Sequence, residues 1–289
     1  SHFLEHLVFK GTKKRKVDEI PREIESKGGI LNAFTAEEVT CFWNKMPKKY
    51  FKIGADIGRD LVLNPVFEAK AMERERKVIL EEIKMYHDNP STYVLEKIKG
   101  MLYEDPFGSS IAGTAKTVAG LSRKRVIDLF NNIYSSNNMI FSVVGDVDLD
   151  LVLSEAKKFP KVKNDIRSVK IVEKNGNFID KRNGIDQAHE VIGFHMPKLN
   201  DENRSAAEIF DGILGGGMSS RLFQEIREKR GLCYAVKSNL EQSMDYSYEL
   251  IYIGTVKKKI KEVRELVLKE IKKLKNLKQS DLSEAKERL

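Results

Sequence analysis

Residues 2–12 read His2-Phe3-Leu4-Glu5-His6-Leu7-Val8-Phe9-Lys10-Gly11-Thr12, and the fold and chemistry predicted for the chain start from this stretch. His2 and His6 are four residues apart. On a helix they therefore project from one face about one turn apart, a spacing that a tetrahedral metal ion can bridge. Glu5 lies within roughly 100° of both around the helix. The stretch predicts a metal-binding helix with a carboxylate beside the metal.

The order H-x-x-E-H is the inverted form of a zinc-peptidase signature, in which the glutamate accepts a proton from a water held on the metal. An alternative stays open at this point, because the chain has five histidines and two of them can fall four apart on a helix by chance. A third metal ligand is needed to decide between the two interpretations.

A long helix predicted from about residue 68 to residue 87 offers a candidate third ligand. Its charged stripe, expected to face water, comprises Arg74, Lys77, Glu81, Lys84 and Asp88. The opposite stripe comprises Glu75, Val78, Ile79, Glu82 and Tyr86. Glu75 and Glu82 are seven residues apart and point the same way. Buried carboxylates need a compensating cation, which a metal ion would supply here; arginines from elsewhere in the core are the alternative.

Four segments together carry a family resemblance. The segments are residues 2–12, Leu31-Asn32-Ala33-Phe34-Thr35, residues 73–83 and residues 215–223. Residues 2–12 closely resemble the zinc helix of the pitrilysin (insulinase) family, particularly its bacterial members similar to the mitochondrial processing peptidase β-subunit. The spacing from His6 to Glu82 also matches that family. The resemblance spans nearly the whole chain.

The resemblance implies roles for five residues on the two helices that are predicted to bind the metal ion. His2, His6 and Glu82 would be the ligands of one zinc ion. Glu5 would be the general base that activates water, and Glu75 would be a carboxylate that supports the ligands. Three protein ligands leave a fourth position open for water, as a catalytic zinc site requires.

The resemblance also implies substrate contacts. Arg227 and Tyr234 match, in type and in spacing, a pair that the family presents to the substrate from its second domain. A guanidinium can grip a carbonyl, and a phenol can donate to a developing oxyanion. Each alone could instead be structural. Asn32 and Ala33 lie on a strand that, in the resembling enzymes, pairs through its edge with an extended substrate.

The fold that the resemblance implies is α+β, with two homologous domains, each a mixed sheet with helices packed on one face. We predict a zinc-binding domain over residues 1–160, a linker over 161–184 and an incomplete second domain over 185–289 that contacts substrate. A match between residues 23–30 and 225–232 favours domain duplication. The apolar run Met139–Val144 predicts a further strand of the first domain.

The two ends of the sequence suggest an excerpt of a longer protein, because residue 1 opens inside a helix without Met and Leu289 ends inside another. We therefore expect the family's first strands to precede the zinc helix. The second domain is expected to continue beyond residue 289.

Composition narrows the function classes. Lys plus Arg is 51 against 43 for Asp plus Glu, a net charge of +8, but the signs are interspersed and no nucleic-acid motif accompanies them. No apolar run is long enough to span a bilayer. The two cysteines, Cys41 and Cys233, show no metal or redox spacing, so disulfide dependence is not expected. Few cysteines and no visible export signal favour a cytoplasmic location.

The predicted function is a zinc-dependent endopeptidase that hydrolyses peptides or unfolded polypeptides, using one Zn²⁺ per site. The family also implies pairing into a homodimer, or a heterodimer with a related subunit. The alternative is a non-catalytic family subunit used for assembly or substrate holding, against which the intact quartet of His2, Glu5, His6 and Glu82 counts. A basic nucleic-acid-binding protein is a third hypothesis, resting on net charge alone.

Overall fold

The computed structural model describes residues 1–166 and 168–288, except for the side chain of Arg288. The chain divides into two compact units. The first consists of Ser1–Met85 and Ile111–Ser168, and the second of Tyr86–Ser110 together with the chain from Val169 onward. Each unit combines helices with an antiparallel sheet, which confirms the predicted α+β class. Among the described residues, no helix is both long and apolar enough to cross a bilayer.

The secondary structure follows the predicted order of elements closely. The helices are α1 (His2–Val8), α2 (Glu19–Glu25), α3 (Phe51–Leu63), α4 (Ala69–Asp88), α5 (Pro90–Leu102), α6 (Ala115–Gly120), α7 (Arg123–Ile133), α8 (Leu149–Ala156), α9 (Arg204–Leu214), α10 (Ile260–Lys273) and α11 (Gln279–Arg288). The strands are β1 (Ile30–Thr35), β2 (Thr40–Lys45), β3 (Gln187–His195), β4 (Ala235–Gln242) and β5 (Ser247–Val256). A π-helix spans Phe223–Glu228.

The hairpin of the first unit pairs β1 with β2, from Ile30 opposite Lys45 to Thr35 opposite Thr40. Gly28 provides the turn before β1 with a φ of +73°, a conformation that glycine adopts without steric cost. Along β1, exposed residues alternate with partly buried ones, so Thr35 faces inward while Asn32 faces solvent. The strand predicted to carry Asn32 and Ala33 is one arm of this hairpin.

The strand predicted at Met139–Val144 is not formed among the described residues. This segment joins no described ladder, and Ile140 and Val144 are 94% and 98% exposed. Apolar residues favour extended backbone, but a strand also needs a neighbour that accepts and donates its hydrogen bonds. The sheets of the described residues are antiparallel, with the strand orders β1-β2 and β3-β5-β4. The sequence analysis expected mixed sheets.

The core of the first unit fixes α1 against α4. Phe3, Leu4 and Leu7 of α1 pack with Met72 and Ile79 of α4 in one buried cluster. Side chains from α6 and α7 complete this cluster. Burying an apolar side chain of this size stabilises the folded state by about 1.5–3 kcal/mol. The two helices that carry the predicted metal ligands are therefore held at a fixed separation.

The second unit repeats the order helix, antiparallel hairpin, helix. The π-helix, β4, β5 and α10 follow one another as α2, β1, β2 and α3 do in the first unit. In each unit a glycine with positive φ follows the helix. It is Gly28 in the first unit and Gly231, at +59°, in the second. This glycine lies one residue later than the sequence match places it. A π-helical turn holds one residue more than an α-helical turn, which accounts for the shift.

A buried carboxyl group lies inside the second unit. Glu249 of β5 is fully buried, and Asp211 of α9 and Ser238 of β4 lie beside it. Ser238 donates its hydroxyl hydrogen to Asp211. Burial, reinforced by the negative charge of Asp211, raises the pKa of Glu249 to about 9. Glu249 is therefore protonated in the folded protein at neutral pH, whereas in the unfolded chain it is ionised.

Replacing Glu249 by glutamine is expected to stabilise the protein at alkaline pH. A folded-state pKa above the unfolded value of 4.5 means that the contribution of Glu249 to stability is complete below pH 4.5 and is lost as pH rises toward 9. The advantage of Glu249→Gln over wild type should grow by up to about 1.4 kcal/mol per pH unit across this window. Urea unfolding at pH 5, 7 and 8.5 measures it. Glu262→Gln, at a half-exposed position, is the control, and parallel pH profiles for wild type and Glu249→Gln would contradict the expectation.

Candidate metal centre

Three predicted ligand residues come together between α1 and α4. Nitrogen atoms of His2 and His6 and a carboxylate oxygen of Glu82 all lie within 4.8 Å of one another. The Nε2 atoms of His2 and His6 each lie 3.6 Å from an oxygen of Glu82, Oε1 and Oε2 respectively. The two imidazole centroids are 4.7 Å apart. This is the only group of three or more potential metal ligands found in the described part of the chain.

The local sequence explains why α1 presents these side chains. Phe3, Leu4, Leu7 and Val8 are buried, whereas the site residues occupy the remaining, partly buried side of the helix. Arg76 of α4 donates to the carbonyl oxygen atoms of Ala119 and Leu121 at 3.2 and 2.8 Å, which secures α4 at the C-terminal end of α6. Buried apolar contacts and these hydrogen bonds thus position the site.

Glu75 contacts the His6 side chain. Its Oε2 accepts from Nδ1 of His6 at 3.2 Å, and its Oε1 lies 2.8 Å from Nζ of Lys10. A proton on Nδ1 would let His6 donate to this oxygen and would leave Nε2, on the side of Glu82, as the free ring nitrogen. Glu75 is 8% exposed, and the ammonium group of Lys10 compensates its charge.

The electrostatics of the site favour an imidazole that can bind a cation. Burial lowers the pKa of His2 below its ordinary value, although the neighbouring Glu82 opposes this shift. A neutral imidazole is the form that coordinates a metal ion. Nδ1 of His2 is buried and has no hydrogen-bond partner among the described residues, in contrast to Nδ1 of His6. Two imidazoles and a carboxylate form a donor set of the type that zinc accepts.

Glu5 lies on the same helix as the two histidines and is held by the hairpin. The hydroxyl of Thr35, the last residue of β1, donates to Oε2 of Glu5. Tyr134 lies close enough for the charge of Glu5 to reinforce the effect of burial, and both raise the pKa of Tyr134 above its ordinary value. Thr35 and Tyr134 are neighbours of Glu5 that the sequence analysis did not identify.

The predicted substrate strand has an open edge. β1 pairs with β2 on one side only in the two-stranded sheet. The backbone N–H of Ala33 donates to Oδ1 of Asn32 at 2.8 Å, so this N–H is directed away from β2. Asn32 is exposed and Ala33 is partly buried. This N–H lies on the edge of β1 that faces away from β2, where the side chain of Asn32 already accepts its hydrogen bond.

Arg227 and Tyr234 lie side by side in the second unit. The guanidinium carbon of Arg227 is 5.6 Å from the ring centroid of Tyr234 and 4.7 Å from that of Phe223. Tyr234 is 78% exposed. The π-helix carries Arg227, and Tyr234 precedes β4. The two residues form a pair within this unit, and their contact with substrate stays a prediction.

Lys10 is a further residue that the sequence analysis missed. It stands in the quoted stretch, four residues after His6, but a lysine just beyond the end of a helix gives no sign of turning back to a carboxylate. Thr35 likewise stands within the segment 31–35 that carries the family resemblance. Alternation along β1 indicates that Thr35 faces inward, but it does not identify Glu5 as the partner.

Comparison with known proteins identifies the family of the chain. Residues 1–115 match the family described as "Insulinase (Peptidase family M16)", and residues 120–289 match "Peptidase M16 inactive domain". All four residues of the predicted zinc chemistry, His2, Glu5, His6 and Glu82, lie in the first match. The domain described as inactive contains Arg227 and Tyr234.

Curated bacterial relatives and solved structures resemble the chain over nearly its whole length. An "Uncharacterized zinc protease" of Rickettsia felis is 36% identical over 94% of this chain and 66% of its own length. A protein of the same description from Rickettsia bellii is 33% identical over 99% and 71%. A solved protease from Helicobacter pylori superposes with a TM-score of 0.92 at 22% identity, covering 99% of this chain and 73% of that one, and supports the fold. The chain therefore belongs to peptidase family M16, the insulinase (pitrilysin) family that its zinc-helix sequence resembles.

Proposed function

We propose that the protein is a zinc-dependent endopeptidase that hydrolyses peptides and unfolded polypeptides. The observation that carries this proposal is the convergence of His2, His6 and Glu82 at one point, with Glu5 on the same helix. The names of the curated relatives support the same class of enzyme. Membership of family M16 supports it as well.

His2, His6 and Glu82 would hold the zinc ion. His2 and His6 offer Nε2, and Glu82 offers either carboxylate oxygen. Bound zinc supplies a Lewis acid that polarises a peptide carbonyl and lowers the pKa of water. Glu75 and Lys10 hold His6 in the tautomer that leaves Nε2 for coordination. Supporting groups of this kind typically contribute about 10–100-fold to metal affinity or activity.

Glu5 performs the proton transfers in this mechanism. Its carboxylate accepts a proton from the attacking water as oxygen bonds to the peptide carbonyl carbon. It then delivers that proton to the amide nitrogen as the C–N bond breaks, so one group acts first as base and then as acid. Glu5 lies beside the ligands on α1 without being one of the three converging groups, which suits this role.

Substrate binding is assigned to the edge of β1 and to the second unit. An extended peptide would add to β1 beside Asn32 and Ala33 through backbone hydrogen bonds, which make few demands on its sequence. Arg227 would grip a substrate carbonyl, and Tyr234 would donate to the developing oxyanion. Pairing with a like or related subunit and a cytoplasmic location are further predictions of this proposal.

Metal removal tests the proposal directly. The purified protein should contain about one zinc ion per chain by elemental analysis and should cleave an unstructured fluorogenic peptide. A chelator should abolish cleavage, and added zinc should restore it. In a separate test, the Tyr234→Phe variant should keep its zinc and lose much of its turnover. Phenylalanine keeps the aromatic ring but lacks the hydroxyl that would donate to the oxyanion. A protein that binds zinc without cleaving any of a panel of peptides would instead be the non-catalytic family subunit.

A further inference from the structure

We propose that Thr35 is a positioning residue that holds the Glu5 carboxylate in its reactive orientation through a hydrogen bond, an inference that rests on the proposed function. Thr35 ends β1 on the inward face of the hairpin. Its Oγ1 donates to Oε2 of Glu5 across thirty positions of sequence, linking the hairpin to α1. This is a direct contact with the group that transfers the proton.

The hydrogen bond divides the two oxygens of Glu5 between two tasks. Oε2 accepts from Thr35, so Oε1 is the oxygen that can take the proton from water. A glutamate side chain has three rotatable bonds, and each orientation that is not reactive lowers the fraction of molecules able to react. A hydroxyl fixed in a strand reduces that freedom before substrate arrives. A hydroxyl carries one hydrogen, which Thr35 commits to Glu5.

The pairing of β1 with β2 fixes Thr35 itself. Thr35 lies opposite Thr40 in the ladder, and their Oγ1 atoms are 3.4 Å apart. A β-branched side chain has few accessible rotamers, so its hydroxyl keeps its direction. The hairpin therefore acts as a rigid support for the carboxylate, whereas α1, of seven residues, is short.

Aromatic rings also lie near Glu5, since Tyr134 is close enough to feel the charge of the carboxylate. The ring of Tyr134 stacks on that of Phe130 with 4.6 Å between centroids, and lies 6.4 Å from the ring of Phe42. The Tyr134 hydroxyl is buried without a hydrogen-bond partner among the residues that the structure describes. Beside these rings, the Thr35 hydroxyl supplies a hydrogen-bond donor to the Glu5 carboxylate.

Two substitutions at Thr35 distinguish the effect of its hydroxyl group from the effect of its side-chain size. Thr35→Val keeps the branched shape and removes the donor, whereas Thr35→Ser keeps the donor and removes a methyl group. We expect Thr35→Val to lower kcat by about 10–100-fold with KM and zinc content close to wild type. Thr35→Ser should recover most of this loss. If calorimetry shows that Thr35→Val does not fold, Thr35→Ala gives the same comparison with Thr35→Ser.

A crystal structure of each metal-free variant provides a readout that does not depend on activity. The Glu5 carboxylate should leave its wild-type rotamer in Thr35→Val and keep it in Thr35→Ser. Wild-type kcat in Thr35→Val, or equal losses in both variants, would overturn the inference while leaving the peptidase proposal intact. A wild-type protein that cleaves no peptide defeats the peptidase proposal. In that case the Glu5 rotamers alone would test the positioning role of Thr35. An unchanged Glu5 rotamer in the Thr35→Val crystal structure would overturn that role.

Discussion

Replacing Glu5 by glutamine is expected to abolish peptide cleavage while leaving zinc in place. Glutamine has nearly the same shape as glutamate, and its carbonyl oxygen can still accept the hydrogen bond from Thr35. The amide cannot take a proton from water at neutral pH. The rate of cleavage should fall by roughly 10²–10⁴-fold, the range typical of a lost general base. Zinc should remain at the wild-type level because His2, His6 and Glu82 are unchanged.

The measurement pairs cleavage kinetics on an unstructured peptide with elemental analysis of the same preparation. Glu81→Gln is the matched control, since Glu81 lies on the exposed side of α4 and pairs with Lys84. It should behave as wild type. Equal activity in Glu5→Gln and wild type would remove Glu5 from the mechanism. Loss of zinc in Glu5→Gln would make Glu5 a ligand.

Replacing His6 by alanine is expected to empty the metal site and to reduce cleavage to background. The substitution removes one of three ligands and leaves the buried carboxylate of Glu75 paired with Lys10 alone. Zinc per chain should fall toward zero by elemental analysis after dialysis. His87→Ala is the control, because His87 is a half-exposed histidine that interacts with Arg182 instead.

Glu75→Gln distinguishes a ligand from a supporting residue in the same experiment. It leaves the three ligands intact, weakens the acceptor for His6 Nδ1 and removes the charge that pairs with Lys10. Zinc affinity should drop by about 10–100-fold without being lost. A fully loaded His6→Ala, or a Glu75→Gln protein as empty as His6→Ala, would show that the ligand set is wrongly assigned.

The candidate site was largely predictable because its signals are local. Two histidines one helical turn apart and two carboxylates seven residues apart on an otherwise apolar stripe are patterns within single helices. The structure brings ligand atoms of His2, His6 and Glu82 within 4.8 Å of one another. One detail of the stripe was wrong. Val78 is 50% exposed, because the buried face of α4 is displaced from the predicted stripe toward Met72, Leu80 and Ile83.

Features that depend on tertiary partners were not predictable. The Thr35–Glu5 hydrogen bond joins a strand to a helix, and the sequence of neither segment identifies the other as its partner. Met139–Val144 has the composition of a strand, but strand formation depends on a neighbouring strand. The short helices α6 and α8 were missed because six and eight residues give little periodicity. Their capping residues, Thr114 and Asp148, were the available signals.

Exposed and partly buried residues alternate along β1, so this one strand serves two functions. Thr35 faces inward and reaches Glu5, and the edge amide of Ala33 would pass from Asn32 to a bound polypeptide, while Phe34 points to the other side. A slip of one residue against β2 would exchange the two faces, so proton transfer and the seating of a substrate would be lost together. Length changes should therefore be tolerated in the turn at residues 36–39 and rejected within the strand itself.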